Sequence, residues 1–197
     1  MIKLLNILRE TQILVPRRSS EERQKNYQIA LQKKIQQYIK DGSQGDLDLS
    51  DTPIQSLPNG LTVGGFLNLS NTPIQSLPNG LKVGGSLNLY NTSIQSLPDN
   101  LEVGEDLILS STPIQSLPDG LKVGGSLNLS GTNIKELPNN FKVKGTLYLS
   151  GTKIQSLPND LKVGGSLWLR NTPLSKKYTK EEQLKAMVPG IKGKIYL

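Results

Sequence analysis

The stretch "SLPNGLKVGGSLNL" (residues 76–89) returns forty residues later as "SLPDGLKVGGSLNL" (residues 116–129) and again as "SLPNDLKVGGSLWL" (residues 156–169), with looser copies halfway between. A fixed period is the mark of a chain that winds into stacked, near-identical coils. The period is 20 residues, and the unit reads L-x-L-x-x-T-x-I-x-x-L-P-x-x-L-x-V-x-G, starting at Leu47, Leu67, Leu87, Leu107, Leu127, Leu147 and Leu167. In extended backbone an L-x-L triplet puts both leucines on one face and the residue between them on the other. Ile54, Ile74, Ile94, Ile114, Ile134 and Ile154, with the leucine and valine that follow, add further inward side chains. One coil buries too little apolar surface to offset the entropy of ordering it, so the coils must stack and share a core.

The back of each coil is not a helix. Pro58, Pro78, Pro98, Pro118, Pro138 and Pro158 each remove a backbone donor and disfavour helix at the preceding residue. Gly-Gly pairs at 64–65, 84–85, 124–125 and 164–165 follow them, so the return limb is expected to be extended or turning.

These residues carry a resemblance. The L-x-L-x-x-T-x-I core resembles the leucine-rich repeat signature L-x-x-L-x-L-x-x-N-x-L, and the "SLP" after it is similar to the 20-residue repeats of bacterial leucine-rich repeat proteins and of proteins encoded by large tailed phages. The resemblance covers residues 46–174. It implies a leucine-rich repeat β-solenoid, in the α/β class by family, with about eight short parallel strands, an extended convex side and a helical cap at both ends. It also implies that the strands line a concave face that binds macromolecules, in an arc kept shallow by the extended back. Glycine (Gly64, Gly84, Gly104, Gly124, Gly164) stands for the first leucine of the signature, and threonine (Thr52, Thr72, Thr92, Thr112, Thr132, Thr152, Thr172) for its asparagine. A threonine hydroxyl bonds local backbone readily, so a threonine column down the stack is expected.

The organisation follows as a basic segment with a capping helix (1–45), the solenoid (46–174) and a C-terminal cap with a short helix and a last strand (175–197), forming one structural domain. Ser19 with Glu22 makes a capping box for a helix over 19–41, with Gly42 as its stop. Tyr27, Ala30, Leu31, Ile35, Tyr38 and Ile39 lie at helical spacing on one stripe, expected to cover the first coil. Thr179 with Glu182 predicts a second box after a departure from pattern at Leu174, and "GKIYL" predicts an eighth strand from Ile195 and Leu197. Ile2, Leu5, Leu8 and Ile13 fit either another short helix or a tail that orders on binding.

Composition excludes much chemistry. The chain has no cysteine and no histidine, which removes thiol and imidazole catalysis and the commonest zinc sites. No catalytic residue, cofactor or metal site is assigned; Asp46, Asp48 and Asp51 read as a solvated edge rather than a calcium site. The opening apolar run is broken by Arg9 and Glu10 without a cleavage site, so neither a signal peptide nor a membrane span is read, and a cytoplasmic location is expected, that of the host if phage-encoded. The net charge of +7 sits at the ends, +5 in 1–45 and +4 in 175–197, against −2 in the stack. Basic ends suit solubility or an acidic surface, but aromatics are scarce beside them and no nucleic-acid module is present, which weighs against direct nucleic-acid binding.

The residues flanking each inward leucine form outward columns. Most are small and polar. Tyr148, Trp168 and Tyr196 fall on three successive strands, with Arg170 beside the only tryptophan, and Ile108 and Tyr90 add apolar surface on earlier strands. Such residue types dominate binding hot spots, so these six are the candidate partner-binding residues; the competing reading is that the rings cross-stack to stiffen the last coils or lie under the C-terminal helix. The function expected is a non-catalytic module, a monomer binding a protein or peptide on its concave face. The alternatives are a structural or virion component associating end to end, or a nucleic-acid-associated protein using its basic caps.

Overall fold

A computed structural model describes residues 19–197, the side chain of Gln24 excepted. The candidate apolar residues Ile2, Leu5, Leu8 and Ile13 lie outside the described residues. The described residues divide into two compact units, with the division after Gln36.

Helix α1 runs Ser20–Lys40. The box that starts it is reciprocal: Glu22 N donates to Ser19 Oγ at 3.1 Å and Ser19 N to the Glu22 carboxylate at 3.0 Å. Gly42, at φ 89°, closes it, with Ser43 N donating to Tyr38 O. Leu31 and Ile35 are buried and Tyr38 is half-buried, while Tyr27, Ala30 and Ile39 of the expected stripe are exposed.

The second unit is a parallel solenoid. Its main sheet holds β1 (Leu47–Asp48), β3 (Leu67–Asn68), β5 (Leu87–Asn88), β7 (Leu107–Ile108), β9 (Leu127–Asn128), β11 (Leu147–Tyr148), β13 (Leu167–Trp168) and β14 (Ile195–Tyr196), eight strands in that order. Each pairs with its neighbour in parallel and in register, Leu47 on Leu67 through to Leu167 on Ile195. Both leucines of every triplet are buried, as are the isoleucines. The return limb forms a second, six-stranded parallel sheet: β2 (Thr62–Val63), β4 (Lys82–Val83), β6 (Glu102–Val103), β8 (Lys122–Val123), β10 (Lys142–Val143) and β12 (Lys162–Val163). An extended limb was expected there; the regular sheet arises because every limb repeats the same valine-in, polar-out dipeptide.

Close stacking explains the glycines. A Cβ at Gly104 would stand 1.9 Å from the Gly84 carbonyl oxygen, and one at Gly124 would stand 1.9 Å from that of Gly104. The first leucine of the family signature therefore has no room here. A separate column, Asp51, Asn71, Asn91, Ser111, Gly131, Gly151 and Asn171, turns the chain with φ between 53° and 72°, a region that asparagine and glycine tolerate best.

The threonine column exists but bonds differently from a coil-to-coil ladder. Each hydroxyl from Thr52 to Thr172 donates to the carbonyl of the leucine three residues before it, in its own coil, at 2.6–2.9 Å. The turn carbonyl of its own coil lies within reach of each of these hydroxyls. Coil-to-coil side-chain bonds come from the left-handed column instead, Asn71 to Asp51 at 3.0 Å and Asn91 to Asn71 at 2.9 Å.

Two short helices interrupt the last coil. Helix α2 (Pro173–Lys177) begins on Thr172, whose hydroxyl accepts from Ser175 N at 3.0 Å. The chain thus turns helical at Pro173, before Leu174 and not after it, because Tyr178 replaces the proline that disfavours helix in the six preceding coils. Helix α3 runs Glu181–Met187. Its start is not the predicted Thr179–Glu182 box: Lys180 N donates to the Gln183 side-chain oxygen at 3.3 Å, one residue further on. That shift places Glu181 in the first turn, where its carboxylate accepts from Ile195 N at 3.0 Å and pairs with Lys185 at 2.8 Å. The eighth strand is present, with Ile195 buried and Leu197 half-buried. Among the described residues no helix is long and apolar enough to cross a membrane.

Two predictions follow from this packing. Gly104→Val should lower stability by about 1–3 kcal/mol or more through overpacking, measured by urea unfolding of the two proteins side by side. The Lys185 hydrogen bond, and then the Ile195 amide, hold the Glu181 carboxyl below the ordinary glutamate range. A depressed folded-state value adds stability above the unfolded value and loses it as pH falls through the folded one. The wild type should therefore melt higher than Glu181→Gln at neutral pH, and the two curves should converge below the ordinary glutamate range.

Candidate interaction surface

The outward residues of the main sheet divide by task. In the column before the leucines, side-chain oxygens take the N–H of the equivalent residue one coil on. Asp46 accepts from Phe66 N at 2.7 Å, Asp106 from Ser126 N at 2.6 Å and Ser126 from Thr146 N at 3.1 Å. In the middle column each asparagine folds back on its own strand end. Asn68 Oδ1 accepts from Ser70 N at 3.1 Å, Asn88 Oδ1 from Tyr90 N at 2.9 Å and Asn128 Oδ1 from Ser130 N at 3.0 Å, and Asp48 does the same for Ser50. These are side-chain turns of the kind asparagine and aspartate favour. The three aspartates at the start of the stack are thus hydrogen-bond acceptors, Asp51 for Asn71. Sequence reading placed these polar columns on the surface but missed their bonds; the signal was the recurrence of asparagine or aspartate at Asp48, Asn68, Asn88 and Asn128.

Ile108, Tyr148, Trp168 and Tyr196 break the middle column and cannot supply that acceptor. The register sets Tyr148 beside Trp168 and Trp168 beside Tyr196 on adjacent strands. Their rings stack, with centroids 6.1 Å apart for Tyr148 and Trp168 and 3.9 Å for Trp168 and Tyr196, and planes within 22° and 19° of parallel. The Arg170 guanidinium lies 5.4 Å from the Trp168 ring centroid, within cation–π range. All three rings are half-buried and Arg170 is exposed. The stacking expected of the competing reading is present, yet the rings also keep solvent-facing surface.

Ile108 and Tyr90 stand apart from this group. Asn128 separates Ile108 from Tyr148 in the register, a gap of about 10 Å over two strand spacings. Tyr90 lies two residues beyond Asn88, the partner of Ile108, with 45% of its surface exposed. The six candidates therefore form two clusters on one sheet, a stacked cationic–aromatic group and a smaller Tyr90–Ile108 pair.

With this geometry in place, comparison with solved structures finds a Shigella effector leucine-rich repeat domain. It superposes with a TM-score of 0.50 at 20% identity, covering 83% of this chain and 86% of that one. The chain has the leucine-rich repeat fold. No family model and no curated protein matches it.

Tyr148→Asn restores the repeat's acceptor, worth about 0.5–1.5 kcal/mol, and removes one stacked pair, worth a similar amount. Thermal and urea unfolding should therefore place this variant within about 1 kcal/mol of wild type. A much larger loss would make the ring a structural strut.

Proposed function

We propose that the chain is a non-catalytic interaction module that binds a protein or peptide on the concave, strand-lined face, through Tyr148, Trp168, Arg170 and Tyr196, with Tyr90 and Ile108 as a second contact. The observation that carries this reading is the exchange made in the middle column. Where four of the five earlier strands give the position to a turn-closing asparagine or aspartate, the last three adjacent strands give it to aromatic rings that remain partly open to solvent. Tryptophan, tyrosine and arginine are the side chains that most often anchor interfaces, since each buries a large rigid surface and keeps a polar group for pairing.

A non-catalytic role is supported by the acid–base groups. Among the described residues the two glutamates held below the ordinary range, Glu102 and Glu181, are each lowered first by a hydrogen bond from a neighbouring lysine on the surface, so their perturbation is accounted for by ion pairing.

Trp168 is the only tryptophan, so its fluorescence reports binding at this site directly. Partners selected from a displayed peptide library should change that emission on titration. The triple variant Tyr148→Asn, Trp168→Asn, Tyr196→Asn should fold and lose at least thirtyfold in affinity, the scale of losing one hot spot of about 2 kcal/mol. Unchanged capture of every selected partner by the folded triple variant would overturn the assignment.

A further inference from the structure

The fold gathers lysines that are scattered in the chain. Along the outer face of the second sheet, Lys82, Glu102 and Lys122 alternate in sign on neighbouring strands, and Lys122 pairs with Glu102. Beyond Lys122 the alternation stops. Lys142 lies directly beside Lys162 in register, and Lys144 follows two residues after Lys142. Ile191 bridges Val163, and Lys192 N donates to the Val163 carbonyl, which sets Lys192 one row further on. All four lysines are exposed, and among the described residues none makes a salt bridge.

Lysine is the common residue of the column that holds Lys142 and Lys162, with Thr62 and Glu102 as its exceptions; the departure is Lys144, whose column is glycine in five other coils, where a side chain meets the preceding coil. Like charges directly opposite one another destabilise a sheet. Four unpaired ammonium groups fall within a patch of about 7 by 10 Å, from strand and residue spacings.

We propose that Lys142, Lys144, Lys162 and Lys192 form a contact surface for the phosphate backbone of double-stranded nucleic acid. Charge complementarity selects a polyanion, and the exposed side chains of the cluster are all lysine, the Phe141, Leu121 and Val123 that line the groove of Lys142 and Lys144 being buried, which selects among polyanions. A protein interface would need a desolvated apolar centre, and stable membrane attachment needs a second, apolar signal beside a basic patch. Unpaired strands are held by stacking on aromatic rings. Non-specific contact with a duplex backbone is carried by counterion release, which clustered lysines supply. Counting charge by segment, where the stack is −2, conceals this patch because, Glu102 apart, the acidic side chains lie outside the column of Lys142 and Lys162.

The test is fluorescence anisotropy of the full chain with a labelled 20-base-pair DNA duplex between about 50 and 200 mM salt. Wild-type binding should weaken about a hundredfold across that range, a log–log slope of about −3.6 for four phosphates neutralised. Lys142→Gln, Lys144→Gln, Lys162→Gln and Lys192→Gln combined should reduce the slope by most of that value and the affinity more than tenfold at the lower salt. Replacing the same four with arginine should preserve binding, and Trp168→Asn should leave it unchanged, separating this surface from the aromatic one. Circular dichroism melting of the glutamine variant should show no loss of stability, because like-charge repulsion is relieved. Retention of wild-type slope and affinity by that variant, loss of binding in Lys176→Gln, Lys177→Gln, Lys180→Gln instead, or binding only to phosphatidylserine vesicles would each overturn the proposal.

Discussion

The solenoid depends on one constraint: the backbone of every coil must lie against the backbone of the coil twenty residues away on two sides at once. On the main sheet Leu67 N reaches the Ser86 carbonyl and Leu87 N that of Asp106; on the second sheet Gly84 N reaches Val63 and Gly104 N reaches Val83. Both ladders hold where coils share one length and contour, and in the last coil, 28 residues from Leu167 to Ile195, they hold because α2 and α3 take up the extra chain. The twenty-residue period is therefore a requirement of geometry as well as a record of repetition. Glycine at 84, 104 and 124 follows from it, because the carbonyl of the preceding coil occupies the place of a Cβ.

The same constraint governs polar side chains. A coil that must superpose on its neighbours cannot leave its turns to solvent fluctuation, so each turn is closed from within. Threonine satisfies the leucine carbonyl, asparagine the amide two residues on, and residues such as Asp46, Asp106 and Ser126 the amide of the next coil. Small polar surfaces of this kind look available for recognition in a list of outward residues. Their hydrogen-bonding capacity is largely committed, and what remains for a partner is the side chains outside these roles.

Much of this was legible in the sequence. The leucine pairs, the isoleucines, the Ser19 box and the eighth strand follow from periodicity and capping chemistry, which act over a few residues and leave a direct trace. The second sheet was harder to read: Lys82-Val83 and its copies are only two residues long, and nothing within two residues distinguishes a strand from an extended loop. The start of α3 moved because Gln183 on Lys180 competes with Glu182 on Thr179, and Glu181 is tied to Ile195 far along the chain. At the candidate site the column of Tyr148, Trp168 and Tyr196 could be assigned from spacing, whereas the stacking distances and the committed state of the asparagines required coordinates. Grouping Lys144 with Lys192 needed the fold, since they are 48 residues apart in the chain.

Where coils are interchangeable, a departure from the common unit is more informative than the unit itself. Ile108 gives up an asparagine's turn closure without gaining a ring partner, whereas Tyr148 and Trp168 exchange it for stacking, so the aromatic group is not a general remedy for a missing cap. Lys144 occupies a column that packing reserves for glycine, and it stands close to Lys142 and Lys162, which keep the lysine common in their own column. The stacked rings and Lys144 fall in the last coils, on two separate sheets, whereas Ile108 and Tyr90 fall in earlier ones. The physical reading is two surfaces with different chemistry, one aromatic and one cationic, built on a scaffold whose remaining positions are held to their own structural tasks.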